Sequence, residues 1–282
     1  MTDRAGPAQA MLMGIDDPLD PRIEGFRDIR ERDLRGRHGL FVAEGTVVLD
    51  ALLRSTDFAP VSLLVLQNRL EGIRPLLERL SEGVPVHVAS RPVIDAIAGF
   101  AMHRGVLALA RRTNEPAPGD LLSGAPRRVV LGIGLANHDN VGAILRCAAA
   151  FGAAPVLFDE TCADPLYRKA IRTSAGAAFS VPHMRGGTAD ALLDALEERG
   201  IAPLALSPRG SSDIRDCPRE RSIALVVGAE GPGLPEAVLT RVETARIAMA
   251  PGHDSLNVAV ATAVALHALA VRPASGGTGG SA

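Results

Sequence analysis

The sequence predicts an α/β protein in two domains, with a mostly parallel sheet in the second. Short apolar, β-branched runs alternate with helix-like segments, the pattern of strands covered on both faces by crossing helices. The stretch from Thr113 to Pro126, rich in Pro, Gly and Ala, interrupts that alternation with the composition of a connector. At 282 residues, 47% hydrophobic and 22% charged, the chain can build two ordinary cores.

Residues 1–20 lack periodicity and are predicted to be disordered. A helix follows over 23–33, then a strand at 40–43, a helix at 45–54, a strand at 61–66, a helix at 71–80, a strand at 84–88, a helix at 90–99 and a strand at 105–110. This makes 21–112 a small α/β sandwich. Residues 113–126 are the linker. The second domain, 127–272, carries strands near 128–135, 154–158, 178–182, 201–206, 222–228 and 244–249, with helices near 140–151, 188–199, 235–241 and 255–270. The Gly/Ser/Ala-rich tail, 273–282, is predicted to be disordered.

A formal net charge of −2 gives no whole-molecule attraction to a polyanion, so any nucleic-acid site must be local. Lys169 is the only lysine. Arginine suits phosphate forks, although a GC-rich genome produces the same bias. Cys147, Cys162 and Cys217 are odd in number and widely spaced, which argues against a disulfide framework or a metal site and fits a reducing cytoplasm. The N-terminus carries no secretion signal. The longest apolar run, 256–271, includes Asn257 and His267 and falls short of the roughly 20 residues of a bilayer span, so it reads as a buried helix.

Three loops at predicted carboxyl ends of strands carry unusual residues, and in a parallel sheet such loops bind ligands. The first leads through Asn137-His138-Asp139-Asn140 into a helix, with Ile144, Cys147, Ala148 and Phe151 on its core face. Arg146 stands among small residues on the other face, a guanidinium in need of an anionic or acceptor partner. The second, Gly228 to Leu234, is a glycine-rich turn holding Glu230. The third runs from Ile247 through Pro251 and Gly252 to Asn257. The glycine turn lacks the Gly-Lys-Ser/Thr ending of a phosphate loop, and Glu230 would repel phosphates. Nor do Gly132, Gly134 and Gly142 have dinucleotide spacing, which disfavours a nicotinamide enzyme. An acid among backbone groups suits a neutral or cationic ligand such as a sulfonium-bearing adenosine. Individually, Asn140 and Ser255 also read as helix caps, Glu230 as a turn acid and Asn257 as a buried polar residue.

Together these blocks resemble the SpoU/TrmH family of RNA ribose 2′-O-methyltransferases, of the SPOUT class. Asn140, Gly142, Arg146 and Phe151-Gly152 are similar to the family's first motif, Gly228 to Gly233 to its second, and Ile247 to Val258 to its third. Arg172, Ser174, Gly176 and Ala177 match a connecting Arg-x-Ser-x-Gly-Ala. His138 and Ala248 stand where the family has prolines, a departure that bears on loop rigidity. Residues 37–45 are similar to an L30e-like substrate-binding module. The resemblance implies a SPOUT-type parallel sheet with a C-terminal deep trefoil knot, a topology otherwise rare. It implies a homodimer with sites at the interface, and S-adenosylmethionine held near Gly228, Ile247, Met249 and Leu256.

It further implies that Arg146 engages the ribose hydroxyl and adjacent phosphate, that Asn140, Glu230 and Asn257 orient these groups, and that Ser255 hydrogen-bonds within the knot. Because free arginine holds its proton to above about 12, phosphate-assisted deprotonation is at least as good a reading as a true base. For RNA contact the candidates are Arg35 and Arg37, in one phosphate-binding face with Arg22, Arg27, Arg30 and Arg32, and Arg112 and Arg172, with Arg111, elsewhere on the path. Acids interleave with the N-terminal group, so a solvated helix with internal ion pairs is an equal reading. Ribosomal RNA is the favoured substrate, with transfer RNA and a catalytically silent RNA-binding protein of the same fold as the alternatives.

Overall fold

The computed structural model describes residues 11–27, 39–98, 104–124, 126–253 and 255–270. Their contacts divide into two compact units: 1–116 with 141–146 and 163–182, and 117–140 with 147–162 and 183–282. Two short segments that lie inside the predicted second domain, 141–146 and 163–182, thus pack with the first.

The first unit contains strands β1 (Met11–Ile15), β2 (Leu40–Glu44), β3 (Phe58–Leu66), β4 (Pro85–Ala89) and β5 (Val106–Arg112), in the order β1-β4-β3-β5-β2. β1 and β3 run parallel to β4, whereas β5 is antiparallel to β2 and β3. Helices α1 (Thr46–Arg54), α2 (Arg74–Leu77) and α3 (Arg91–Ala98) accompany them. β1 corrects the expectation of disorder for 11–20, while 1–10 lie outside the described residues: Ile15 is buried in the core with Ile23, Phe26, Leu64 and Ile94, and the strand is made by pairing with β4. Residues 21–26 form a 3-10 turn, not the start of a long helix; 28–38, which include Arg35 and Arg37, lie outside the described residues. The predicted strand at 178–182 is instead a 3-10 turn at Ala177–Phe179. Phe179 meets Phe41 and Phe58 at centroid distances of 5.6 and 5.1 Å, and this aromatic packing outweighs the local β-like pattern.

The second unit holds the seven-stranded sheet, every pairing parallel, in the order β10-β12-β9-β11-β6-β7-β8. Its strands are β6 (Arg128–Gly132), β7 (Val156–Phe158), β8 (His183–Arg185), β9 (Ala202–Leu206), β10 (Ser212–Asp213), β11 (Ile223–Val227) and β12 (Glu243–Arg246). The central pair, β6 and β11, is buried along its whole length, as continuous apolar runs require. Helices α4 (Pro118–Leu121), α7 (Ala189–Glu197), α8 (Glu236–Arg241) and α9 (Val258–Leu269) belong to this unit, and α6 (Arg168–Ser174) to the first. The stretch read as an open linker contains α4, and Leu122 after it is fully buried in the second core. α9 is not the buried helix expected, because Val260 and Val264 are 49% and 40% exposed.

Helix α5 (His138–Phe151) starts with the Asn137 side chain accepting from the Asp139 amide and ends on Gly152 in the left-handed region. Its inward face is Val141, Ile144, Leu145 and Ala148, all fully buried; Cys147 and Phe151, expected there, are half-buried. Gly142 is required by close packing, since a Cβ would fall 2.3 Å from the carbonyl oxygen of Ala170. Arg128, only 8% exposed, spends all five N–H donors on backbone carbonyls: Arg127, Arg219, Arg221 and, twice, Leu269. It thereby fixes the C-terminal end of α9 to the base of the sheet.

Gly142→Ala brings a helix-propensity gain of about 1 kcal/mol against an overpacking cost of about 1–3 kcal/mol. With a backbone oxygen at 2.3 Å, the cost wins. Urea unfolding is expected to show net destabilisation, and a variant as stable as the parent contradicts the packing described.

Candidate active site

The loops that follow β9, β11 and β12 meet at the carboxyl edge of the sheet around a cavity of about 860 Å³, within the roughly 300–1,000 Å³ of small-molecule sites. It is lined by Leu206–Arg209, Val227–Leu234, Ile247 with Met249, and His253 with Ser255–Val258, together with Leu239 and Ala261. Gly228, Ile247, Met249 and Leu256, the residues predicted to hold a cofactor, all face it, as do Glu230, Ser255 and Asn257. The Leu206–Arg209 loop was missed. It carries neither a glycine run nor an acid, and only its place after a central strand could have marked it.

The glycine turn closes on itself. The Gly233 amide donates to the Ala229 carbonyl at 3.0 Å, and Gly231 and Gly233 take φ of +84° and +74°. A Cβ on Gly228 would lie 2.6 Å from the Gly233–Leu234 peptide, so the turn folds this tightly only with glycine there. Glu230 is presented at its tip.

Asn257 binds the site together. As N-cap of α9, its Oδ1 accepts from the amides of Ala259 and Val260 at 3.0 and 3.3 Å. Those two donors fix the amide orientation, leaving Nδ2 to face the other way. Nδ2 donates to Glu230 Oε1 at 2.6 Å and to Asn140 Oδ1 at 2.9 Å. Asn140 is 5% exposed on the first turn of α5. Three residues predicted separately, and each with a plain capping or turn reading, thus form one hydrogen-bonded chain.

Arg146 is not part of it. The residue is exposed on α5, does not line the cavity, and makes no hydrogen bond or ion pair among the described residues. Of the arginines proposed for RNA, Arg172 is exposed in the last turn of α6, while Arg112 lies over the Phe58 ring at 4.8 Å, a contact that also serves packing. Arg22 pairs with Asp20, and Arg27 donates to the carbonyls of Leu19 and Asp20. Cys162 is buried behind the loop after β6, its thiol pushed up to about 12 by desolvation and by Asp159. It is an inert packing residue.

The cavity suits an adenosine bearing a sulfonium. Leu206, Leu239, Met249 and Leu256 supply apolar walls, the turn supplies backbone groups, and Glu230 supplies an acceptor for positive charge. No lysine stands among the described lining residues.

Residues 127–267 match the family described as the SpoU rRNA Methylase family. The chain belongs to this family and is an RNA methyltransferase of the SpoU type. It is 41% identical over 266 residues to an uncharacterized tRNA/rRNA methyltransferase of Mycobacterium tuberculosis, covering 91% of each chain. It is 32% identical over 231 residues to the 23S rRNA (guanosine-2′-O-)-methyltransferase RlmB of Vibrio cholerae, covering 79% of this chain and 93% of that one. Among solved structures, the SpoU methyltransferase AviRb of Streptomyces viridochromogenes in complex with AdoMet superposes with a TM-score of 0.74 at 25% identity, over 85% of this chain and 92% of that one.

Asn257→Asp keeps the cap but sets a second carboxylate against Glu230. Each raises the other's proton affinity, so the variant's stability is present at low pH and lost as pH rises through the raised folded-state value. Thermal unfolding is expected to show a deficit relative to wild type that is about 1 kcal/mol larger at pH 8 than at pH 5. A pH-independent deficit would show that the Glu230 contact is absent.

Proposed function

We propose that the protein transfers a methyl group from S-adenosylmethionine to a ribose 2′-hydroxyl of RNA. The observation that carries this is the Glu230–Asn257–Asn140 chain at the mouth of a glycine-turn cavity large enough for the cofactor. The cofactor supplies a methyl on a sulfonium, already a good leaving arrangement, so the protein's task is alignment and removal of the hydroxyl proton.

Gly228, Ile247, Met249 and Leu256 hold the cofactor through backbone and apolar contacts. Glu230, fixed by Asn257, faces positive charge, and Asn140 orients the ribose; Ser255, which lines the cavity and makes no hydrogen bond among the described residues, is left to bond within the knot once the site is filled. Arg146 engages the 2′-hydroxyl and the adjacent phosphate. Its exposure, and the lack of a side-chain partner among the described residues, support a role met only by substrate. Since a guanidinium keeps its proton throughout the physiological range, it acts by stabilising the developing alkoxide while a phosphate oxygen assists the proton's departure.

Ribosomal RNA is the substrate we favour, on the similarity to RlmB; transfer RNA is the second reading, supported by the names of the mycobacterial relatives. We further propose that the second unit carries the family's trefoil knot and that 21–112 is an L30e-like RNA-binding domain, with Arg35, Arg37, Arg112 and Arg172 contacting RNA. The protein works in the cytoplasm, where its free cysteines stay reduced. A homodimer is supported by Leu256, Val260 and Val264, large apolar side chains left exposed along the start of α9.

Arg146→Ala is expected to bind S-adenosylhomocysteine within twofold of wild type and to lose at least about 100-fold in single-turnover methyl transfer to unmodified RNA. Turnover within threefold of wild type overturns its assignment, and wild-type cofactor binding without any RNA labelling favours the silent RNA-binding alternative. Val264→Glu is expected to sediment as a monomer with native helix content; an unchanged dimer would place the interface elsewhere.

A further inference from the structure

The loop after β9 enters the cavity with an arginine whose charge the proposed chemistry has not used. Among the described lining side chains, Arg209 is the only permanent cation and Glu230 the only carboxylate. Arg209 is exposed and has no ion pair among the described residues. Nearby arginines differ: Arg215 pairs with Asp213 at 2.8 Å, and Arg221 pairs with Glu243.

The turn that carries Arg209 is held firmly. The Ser207 amide donates to the Ala245 carbonyl at 2.9 Å, the Arg209 amide to Ser207 Oγ at 3.3 Å, and the Gly210 amide to the Ser207 carbonyl at 3.0 Å. Arg246 clamps the far side, donating to the Gly210 carbonyl at 2.8 Å. A Cβ on Gly210 would sit 2.2 Å from the Ala245 carbonyl carbon, so the turn lies directly on β12. Such anchoring gives a guanidinium a defined base from which to read a ligand.

A cavity with one fixed acid and one cation carried on an anchored turn is complementary to a ligand carrying both signs of charge. The amino-acid arm of S-adenosylmethionine is such a ligand: a sulfonium and an ammonium with a single α-carboxylate. We propose that Arg209 takes that carboxylate through a charge-assisted hydrogen bond, while Glu230 faces the positive groups, and that Arg209 thereby sets the preference for a carboxylate-bearing cofactor. This rests on reading the cavity as the cofactor site. An RNA phosphate is the other anion in reach of an exposed arginine; the carboxylate is favoured because Arg209 lines the same cavity as Met249 and Leu256.

The test is calorimetric binding of S-adenosylmethionine and of its decarboxylated analogue to the full chain, with Arg209→Ala and Arg209→Lys. The analogue keeps adenosine, sulfonium and ammonium and lacks only the carboxylate. Wild type is expected to prefer S-adenosylmethionine by about tenfold, the scale of one charge-assisted hydrogen bond. Arg209→Ala abolishes the preference with analogue affinity held within twofold, and Arg209→Lys retains part of it. Unchanged S-adenosylmethionine affinity in Arg209→Ala overturns the proposal. So does equal weakening of both ligands in both variants, which would make the turn a scaffold, or lost RNA affinity with the cofactor preference intact, which would make Arg209 a phosphate contact. Wild type that binds neither ligand refutes the cofactor cavity itself, whereas wild type that binds both equally refutes only the role of Arg209.

Discussion

The Asn257 side chain satisfies four demands at once, and the rest of the site depends on that. Its carbonyl oxygen accepts two amides of α9, and its amide nitrogen donates to Glu230 and Asn140. Aspartate could cap the helix but not donate; glutamine could donate but is poorly built to cap. Only asparagine holds the start of α9, the glycine turn after β11 and the start of α5 in one register. The acid at the tip of the turn is therefore preorganised before any ligand arrives, the condition under which a charge contributes most to recognition or catalysis.

The scaffold beneath supports this by a few non-negotiable contacts. Arg128 ties the last residue of α9 to the base of the sheet through a fully used guanidinium, so the helix that Asn257 caps is fixed at both ends. Gly142 lets α5 lie against the Ala170 backbone, and Gly228 lets the turn fold onto its own peptide. In these two segments, then, Gly142 and Gly228 are packing requirements, and the polar residues beside them are free to carry chemistry.

Much of this was legible in the sequence. The parallel sheet followed from uninterrupted apolar strands, and the cavity from motif-bearing loops at their carboxyl ends. What the sequence concealed was non-local. β1 exists because β4 offers it an edge, and Met11–Ile15 has no strand pattern strong enough to announce it. The run at 178–182 looks like a strand, but Phe179 is drawn into an aromatic cluster with Phe41 and Phe58. The turn bearing Arg209 holds no unusual residue types and becomes visible only when the sheet order places it beside the glycine turn. Residue identity likewise suggested Asn140, Glu230 and Asn257 one by one, but not that a single amide joins them.

The claim that one amide couples two loops is tested most directly by a double-mutant cycle. S-adenosylhomocysteine affinity would be measured for wild type, Asn140→Ala, Glu230→Gln and the double variant. If Asn257 joins them, the single losses are non-additive, with a coupling energy of at least about 0.5 kcal/mol. Strict additivity within error would mean that Asn140 and Glu230 act independently, and that the shared hydrogen bonds do not organise the site.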